Sequence, residues 1–328
     1  MTGRLDRSAL LDFAFPVACF VWVGMVPNSF VIPRIIVIAA AAVVAILWDR
    51  VPRAALVLLA VMAASAAHGI LPWISVWGLP QQWAHGLMAA IIYAGLLACP
   101  TKQPWLRWLG VALSVHAVLQ RFALDPLVNP AWLPAGRAVA YIGSPVDLGA
   151  LLAMAAPVAG PWLPIVIAGL WACGSRAAWL AAAVALTPGR WRLLFLPAIM
   201  IPFLLKAPKD IARVELWRIA ARSVYERPWL GSGPETYVIT FRRLKTERLV
   251  KAVGPGYLQA HAHNDLLEAA STIGLLGLAA YLWLVIPFLR NPALLALFIV
   301  LKFDPVAFEV MAAGALIAAN DWAARKNS

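Results

Sequence analysis

Long runs of apolar residues, separated by short polar breaks, restrict what this chain can fold into. Hydrophobic residues make up 63% and charged residues 13% of its 328 positions. A soluble chain of this length could not cover its surface with so few charges. Apolar blocks with short polar breaks are typical of transmembrane segments. The sequence therefore predicts an all-α, polytopic integral membrane protein.

The apolar runs predict about twelve transmembrane helices, or ten if short neighbouring runs merge. Four of the runs fall well short of the roughly 20 residues that a straight crossing needs. The first run is interpreted as a retained span, because no small-residue cleavage site precedes its first polar break. The predicted spans are residues 10–26, 30–48, 54–71, 83–99, 105–124, 146–159, 162–173, 177–186, 191–205, 266–289, 293–301 and 306–322.

Basic residues in the short polar breaks indicate the orientation of the chain. If the amino end is cytoplasmic, nearly every cytoplasmic break contains arginine or lysine, whereas the external breaks at 27–29 and 72–82 contain none. This alternation follows the positive-inside rule. The predicted parts are an N-terminal transmembrane bundle of about nine spans (1–205), a periplasmic loop (206–264) and C-terminal transmembrane helices (265–328).

The loop at 206–264 contains half of the excess charge of the chain. It has eleven basic and five acidic side chains, a net charge of +6 out of +12. A basic surface beside a membrane favours an anionic partner, either a lipid diphosphate or a phospholipid headgroup. Apolar residues at helical spacing over 211–225 predict an amphipathic helix on the membrane face. Pro228 should end this helix before a tight turn at 231–234.

Two histidines stand where the chain leaves this loop. His263 is the best candidate for a general base, since a neutral imidazole accepts a proton near pH 7. Asn264 or Asp265 is a plausible N-cap of a following helix, with Glu268 in its first turn. The imidazole could be held by Asp265, by a backbone carbonyl or by Glu268. His261 is either a second site residue or polar filler.

Arginines supply the candidate anion ligands. Arg176 lies between two short apolar runs, where a cation is costly and usually faces a polar cavity, unless it snorkels to the surface. Arg213 begins the loop helix, and its planar guanidinium suits a diphosphate. The alternative for Arg213 is a solvated face or a surface pair of the Glu215 type. Arg218 and Arg222 share a helix face and are possible supporting residues.

Several other chemistries lack support in the sequence. There is no Walker loop, DxD pair, HExxH helix or GxSxG elbow, and the three cysteines show no metal-ligand spacing. Three further histidines in apolar runs are predicted to be packing residues: His68, His85 and His116. Asp304 and Glu309, near the last span, raise the possibility of ion coupling, but on weak grounds.

Three stretches form an ordered set of motifs. Residues 213–217 (RVELW) and 226–234 (ERPWLGSGP) combine an arginine, a tryptophan four positions later and Pro-x-x-Gly-x-Gly. Residues 263–277 begin with His-Asn and contain two later glycines, and residues 174–176 are GSR. Together they resemble the O-antigen ligase and Wzy-type polymerase family of bacterial envelope enzymes. The turn at 143–147 (GSPVD) departs from that family, whose members often have asparagines there.

The resemblance implies a multi-pass, GT-C-like glycosyltransferase of the bacterial inner membrane, with its active site facing the periplasm. The donor would be a glycan on undecaprenyl diphosphate, and the acceptor a hydroxyl of lipid A core or of another glycan. His263 would take the acceptor proton in an inverting displacement, while Arg176 and Arg213 hold the diphosphate. It implies no metal and no cofactor. The lipid bilayer is an expected partner, and nucleic acid is not.

Alternatives remain at this point. Within the family, the sequence does not separate a ligase from a repeat-unit polymerase or from a relative that glycosylates protein, because loop shape selects the acceptor; we slightly prefer the ligase. A transporter or flippase of an anionic lipid-linked glycan would also need external arginines and broken spans. A peptidoglycan polymerase of the shape-and-division type would rely on a loop carboxylate. Asp210 or Glu235 would have to serve, and neither lies in a supporting motif.

Overall fold

The regular structure of the described residues is entirely helical. The computed structural model describes residues 51–79, 84–98, 100, 104–125, 133–189, 191–192 and 208–326, which confirms the all-α prediction for these ranges. The helices, joined in places by 3-10 turns, are α1 (Arg53–His68), α2 (Pro72–Trp77), α3 (Leu87–Leu97), α4 (Pro104–Arg121), α5 (Pro145–Ala155), α6 (Leu163–Cys173), α7 (Arg176–Leu186), α8 (Pro208–Glu226), α9 (Tyr237–Leu244), α10 (Glu247–Val253), α11 (Asp265–Thr272), α12 (Gly274–Val285), α13 (Pro292–Leu301) and α14 (Phe308–Lys326).

Helix α5 lies at the centre of the larger hydrophobic core. All of its residues from Asp147 to Ala155 are buried. A helix that is apolar all round is stable only when other elements cover it, and α4, α6, α7 and α13 pack around it. Small residues permit the close approach, since a Cβ at Gly149 would lie 2.7 Å from the Cβ of Ala178 on α7. This packing fixes the frame from which the polar turns project.

The loop helices form a second, smaller core. The predicted helix at 211–225 is confirmed as α8, but its position on a membrane face is not what the structure shows. Leu216 and Ile219 of α8 are buried against Tyr237 and Phe241 of α9 and Leu249 of α10. The loop covers the apolar side of α8 because α9 and α10 supply enough apolar surface of their own.

The predicted span at 266–289 is two helices rather than one. Helix α11 ends at Thr272, and α12 begins at Gly274, where φ is +74°. The N–H of Leu275 donates to the carbonyl oxygen of Pro228 at 2.7 Å instead of continuing the α11 ladder. A Cβ at Gly274 would lie 2.1 Å from the carbonyl oxygen of Trp229. The loop turn therefore inserts at a break that only glycine allows.

This turn, residues 228–234, also joins the loop to the first described helices. The N–H of Gly233 donates to Thr272 O at 2.7 Å, and the N–H of Ile70 donates to Ser232 O at 2.8 Å. The Pro-x-x-Gly-x-Gly pattern thus has a structural reason, because backbone must approach backbone on both sides. We call residues 228–234, with these backbone hydrogen bonds, the glycine seam.

None of the helices in the described ranges combines the length and the apolar character needed to traverse a lipid bilayer. The predicted spans at 10–26 and 30–48, and nearly all of the span at 191–205, lie outside those ranges. The number of spans therefore stays a prediction.

Contacts at the two ends of the bundle join segments that are predicted to lie on the same side of the membrane. At one end, the N–H of Ala307 donates to Asp147 Oδ1 at 2.7 Å, and both residues adjoin breaks predicted to be external. At the other end, Arg107 Nε donates to Val158 O at 2.7 Å, near breaks predicted to be cytoplasmic. At the first end, Arg137 Nε also donates to the carbonyl oxygen of Cys173. At the second end, Asp321 accepts a hydrogen bond from Asn291 and forms an ion pair with Arg325.

Candidate active site

The structure brings His263 against Asp304, which lies in the turn after α13. Nδ1 of His263 is 2.8 Å from Oδ1 of Asp304, and the two side chains are 20% and 19% exposed. Asn264 is the N-cap of α11, as predicted, and accepts hydrogen bonds from two N–H groups of the first turn. His263 has φ +54°, which is unusual for a residue other than glycine. Such strained backbone tends to occur at functional sites.

Asp304 also binds Arg213, so one carboxylate joins the loop to the bundle. Nη2 of Arg213, on α8, lies 3.4 Å from Oδ2 of Asp304. The two Asp304 oxygens therefore have different partners, an imidazole and a guanidinium. Of the residues predicted for the site, His263 and Arg213 are thus brought together, through an aspartate that was not predicted to have a catalytic role.

The other nitrogen of His263 has a polar neighbour within the loop. Nε2 lies 3.2 Å from Oε1 of Gln259, and the amide nitrogen of Gln259 donates to the Tyr257 hydroxyl at 2.8 Å. A carbonyl oxygen accepts a hydrogen bond from Nε2 only when Nε2 is protonated. With its amide rotated, Gln259 would instead donate to the neutral ring. Gln259 can therefore accompany either protonation state of His263.

His261 is buried, lines the same cavity as His263 and binds Glu268. Its ring is 3% exposed, and Nδ1 lies 3.3 Å from Oε1 of Glu268. The second oxygen of Glu268 accepts the N–H of Ala262 at 2.6 Å, which fixes the segment before α11. Burial alone would lower the pKa of His261, but the hydrogen bond and charge of Glu268, with the charge of Glu235, outweigh burial and raise that pKa.

Glu235 is buried beside His261, directly after the glycine seam. It is 1% exposed, and its Oε1 accepts the N–H of His85 at 2.8 Å. Among the described residues its Oε2 has no hydrogen-bond partner. Burial raises the pKa of Glu235, although the charge of His261 acts in the opposite direction. The His85 ring packs edge-on against His261, with 5.1 Å between centroids, so this predicted packing residue belongs to the site.

These groups line a cavity of ≈ 160 Å³. Its polar wall combines histidine rings and carboxyl groups, contributed by His85, Glu235, His261, His263, Asp265 and Glu268. A second cavity of ≈ 180 Å³ adjoins it and is lined almost entirely by apolar side chains of α1, α3, α12, α13 and α14. Both cavities are bordered by Leu58, Ala90, Tyr93, Tyr281, Leu301 and Met311. Most of the accessible wall of both cavities is apolar, and the histidine and carboxyl side chains border the first cavity and not the second.

The remaining predicted arginines lie elsewhere. Arg176 is exposed at the first residue of α7 and is not among the residues that line the two cavities. Arg218 is paired with Glu215 at 2.5 Å, and Arg222 lies 3.7 Å from Glu226. Both of these side chains are more than half exposed. The structure thus places Arg218 and Arg222 in ion pairs on the outer face of α8.

The segment that contains Arg213, the glycine seam and His263 has a recognisable counterpart among known proteins. Residues 205–282 match the O-antigen ligase family. The resemblance drawn from the motifs is thereby confirmed for this part of the chain. The match supports a membrane enzyme of lipopolysaccharide or polysaccharide biosynthesis that acts on lipid-linked glycans. A search of curated proteins finds no match.

Residues outside the matched motifs complete the site. Asp304 lies 41 residues beyond its histidine partner, so helical periodicity could not connect the two. The one available signal was a carboxylate at a membrane boundary, which is costly unless it is paired. Glu235 could be suspected only from its position after the glycines. Asp147, in the turn that departs from the family pattern, accepts the N–H of Ala307 and thereby supports the Asp304 turn.

Proposed function

We propose that this chain is an integral-membrane glycosyltransferase of the O-antigen ligase type. It would transfer a glycan from undecaprenyl diphosphate to an acceptor hydroxyl, with inversion at the anomeric carbon. The observation that carries the proposal is the contact of one carboxylate, Asp304, with both a histidine and an arginine, at 2.8 Å and 3.4 Å. A base and an anion-binding group are thus held side by side.

The hydrogen bond to Asp304 selects the tautomer of His263. A carboxylate only accepts, so Nδ1 carries the proton and Nε2 keeps its lone pair. The acceptor hydroxyl gives its proton to Nε2 as its oxygen attacks the anomeric carbon. The imidazolium that forms is stabilised by Asp304 on one side and by the Gln259 carbonyl oxygen, 3.2 Å away, on the other.

The bond between the anomeric carbon and the phosphate oxygen breaks in the same step, and its electron pair leaves with undecaprenyl diphosphate. Arg213 is 24% exposed and uses Nη2 on Asp304, so it retains N–H groups for phosphate oxygens. Its charge would stabilise the leaving diphosphate. Arg176 would assist only if the donor reaches beyond the two cavities to the start of α7.

The apolar cavity offers a place for the lipid. Its walls include Leu97, Leu284 and Phe298, and it adjoins the cavity that His263 lines. A cavity of ≈ 180 Å³ could take the first isoprenoid units of the lipid, those next to the diphosphate, while the rest of the chain lies outside it. Burial of isoprenoid carbons contributes about 0.8 kcal/mol per methylene-sized group, which would offset the ordering of the lipid.

The separation of contacts at the two ends of the bundle agrees with the grouping of breaks to which the positive-inside rule is applied. His263, Asp304 and Asp147 lie at the end that the positive-inside rule assigns to the outside. A site facing the periplasm, in a multi-pass protein of the bacterial inner membrane, follows from that assignment. We retain the proposed division into a bundle (1–205), a periplasmic loop (206–264) and C-terminal membrane helices (265–328).

The acceptor is proposed to be lipid A core, as in a ligase. The alternative within the family is the non-reducing end of another repeat unit, as in a polymerase. Incubation with a labelled donor and either lipid A core or a second donor separates these outcomes by product size. A ligase gives a lipid A core bearing a single transferred glycan, and a polymerase gives a lengthened chain on undecaprenyl diphosphate.

The decisive test compares wild-type protein with His263→Ala in detergent, using an undecaprenyl-diphosphate glycan. We expect donor binding to persist and release of undecaprenyl diphosphate to disappear. His68→Ala is a matched control, because His68 is exposed and lies outside both cavities. Unchanged release from His263→Ala would remove the base assignment. Movement of intact donor across vesicles by both variants would favour a transporter instead.

A further inference from the structure

We propose that Lys302 is a positioning residue for the His263–Asp304 pair, because its ion pair with Asp265 sets the register between the turn after α13 and the start of α11. The inference rests on the proposed transferase function, in which Asp304 selects the tautomer of His263. It assigns a task to a charged pair that takes no part in the proton transfer itself.

Two polar contacts join the same two segments in antiparallel order. Nδ1 of His263 lies 2.8 Å from Oδ1 of Asp304. Two residues along each segment, the ammonium group of Lys302 binds Oδ1 of Asp265. A step forward from 263 to 265 on one segment therefore corresponds to a step back from 304 to 302 on the other. A shift of either segment by one residue would break both contacts.

Both oxygens of Asp265 are engaged in this arrangement. While Oδ1 binds Lys302, Oδ2 accepts a hydrogen bond from the hydroxyl of Tyr281, on α12, at 2.6 Å. The sequence left Asp265 as one of the groups that could hold the imidazole of His263, and the structure gives that contact to Asp304. Asp265 instead ties the start of α11 to α12 and to the end of α13.

The Lys302–Asp265 pair is largely buried. Each of the two side chains is 14% exposed, and Nζ of Lys302 also lies 3.5 Å from the centroid of the Phe298 ring, four residues earlier on α13. Burial lowers the pKa of Lys302, and the charge and hydrogen bond of Asp265 oppose that shift. A buried ion pair adds little stability over apolar residues of the same size, and its best-attested use is to fix a register.

The turn that contains Asp304 is held on both sides. After it, the N–H of Ala307 donates to Oδ1 of Asp147 at 2.7 Å, which joins the turn to α5. Before it, Lys302 joins the turn to the segment of His263. The distance from Asp304 to the imidazole therefore depends most directly on Lys302.

The test compares three variants and a control as full-length proteins in nanodiscs. Lys302→Met leaves Asp265 unpaired, Lys302→Met with Asp265→Asn removes both charges, and Lys302→Arg keeps the pair. Arg325→Met is the matched control, because Arg325 also binds an aspartate and lies over a phenylalanine ring, but at the opposite end of the bundle. Single-turnover release of undecaprenyl diphosphate, donor Kd and melting temperature are measured for each protein.

A fourth measurement reports on His263 without requiring turnover. In ¹⁵N spectra of histidine-labelled protein at about pH 8, above the usual pKa of histidine, a ring nitrogen that carries a proton is distinguished from one that does not. The signals of His263 are those missing from His263→Ala. The wild type should show one tautomer, with the proton on Nδ1, because the Asp304 carboxylate only accepts.

We expect release to fall about 10²-fold in Lys302→Met and in the double variant, as for a displacement of about 1 Å in a catalytic group. Both should show a mixture of His263 tautomers, while the donor Kd stays unchanged because Arg213 keeps its charge and its place on α8. The double variant should melt no lower than Lys302→Met, since it contains no unpaired buried charge. Lys302→Arg and Arg325→Met should resemble the wild type.

A wild-type release rate and a single tautomer in the double variant would overturn the inference, because the pair would then only balance charge. A parallel loss of donor binding in both methionine variants would also overturn it, since Lys302 would then support the fold as a whole. If the wild type releases no undecaprenyl diphosphate, the transferase proposal alone is rejected, because the spectra still test the effect of Lys302 on His263.

Discussion

Replacing Asp304 with asparagine should remove the basicity of His263 without changing the shape of the site. One Asp304 oxygen accepts from His263 and the other accepts from Arg213. An asparagine has one acceptor oxygen and one donor nitrogen. The guanidinium can only donate, so the amide oxygen must face Arg213 and the amide nitrogen must face His263. Nδ1 then accepts a hydrogen bond, and the imidazole proton moves to Nε2.

The size of the effect follows from the loss of the lone pair on Nε2 of His263. With a proton on Nε2, the atom that should receive the acceptor proton has no lone pair to offer. General-base catalysis contributes about 10²- to 10⁴-fold, and the same exchange in a Ser-His-Asp protease costs ~10⁴ through the wrong tautomer. We expect kcat to fall by about 10²- to 10⁴-fold, or ~3–5 kcal/mol in activation free energy. Donor affinity should not fall, because Arg213 keeps its charge.

The assay is single-turnover release of undecaprenyl diphosphate from labelled donor in nanodiscs, with donor Kd measured by equilibrium binding. Asp321→Asn is the matched control. Asp321 is also an aspartate with an arginine and an amide partner, but it lies at the opposite end of the bundle. A release rate for Asp304→Asn close to that of the control would refute the tautomer argument. A matching loss of donor binding would show that Asp304 supports the fold instead.

Three further predictions concern stability and binding. Gly274→Ala should lower the free energy of unfolding by about 1–3 kcal/mol from its φ of +74° alone, whereas Gly256→Ala, with nothing within 4 Å of its Cβ, should have little effect in calorimetry. The melting temperature of the wild type should fall as the pH rises above about 6.5, and the melting temperature of His261→Gln should fall less over the same range. A histidine whose pKa is raised by folding contributes stability that is complete below its unfolded pKa of 6.5 and disappears through the higher folded value. Arg213→Lys should weaken donor binding about tenfold, because lysine cannot bind two phosphate oxygens in one plane, while the exposed Arg248→Lys should leave the donor Kd unchanged.

Local patterns were sufficient to predict part of this structure. Helical spacing and a proline identified α8, and the preference of asparagine for N-caps identified the start of α11. His263 and Arg213 stood out because a base and a guanidinium near a membrane have few structural uses. Each of these inferences depends on residues within about one helical turn of one another.

The rest depended on contacts between distant segments. The break at Gly274 arises because the turn at 228–234 takes up the amide of Leu275, which no pattern within 266–289 could indicate. The pairing of Asp304 with His263 requires α13 and the loop to meet at one end of the bundle. The burial of Glu235 beside His261 and its positive φ are likewise properties of the folded geometry.

The glycine seam has a consequence for how this protein can change over time. It joins three distant segments through main-chain amides and carbonyls, as in the pairs Gly233–Thr272 and Ile70–Ser232. These backbone hydrogen bonds depend little on the identity of the side chains, provided that the glycines are kept. Substitutions on the outer faces of α8, α9 and α10 can therefore accumulate without altering the register of the chain at the site. Under the proposed function, the loop could diversify toward new glycan acceptors while His263 and Asp304 keep their alignment.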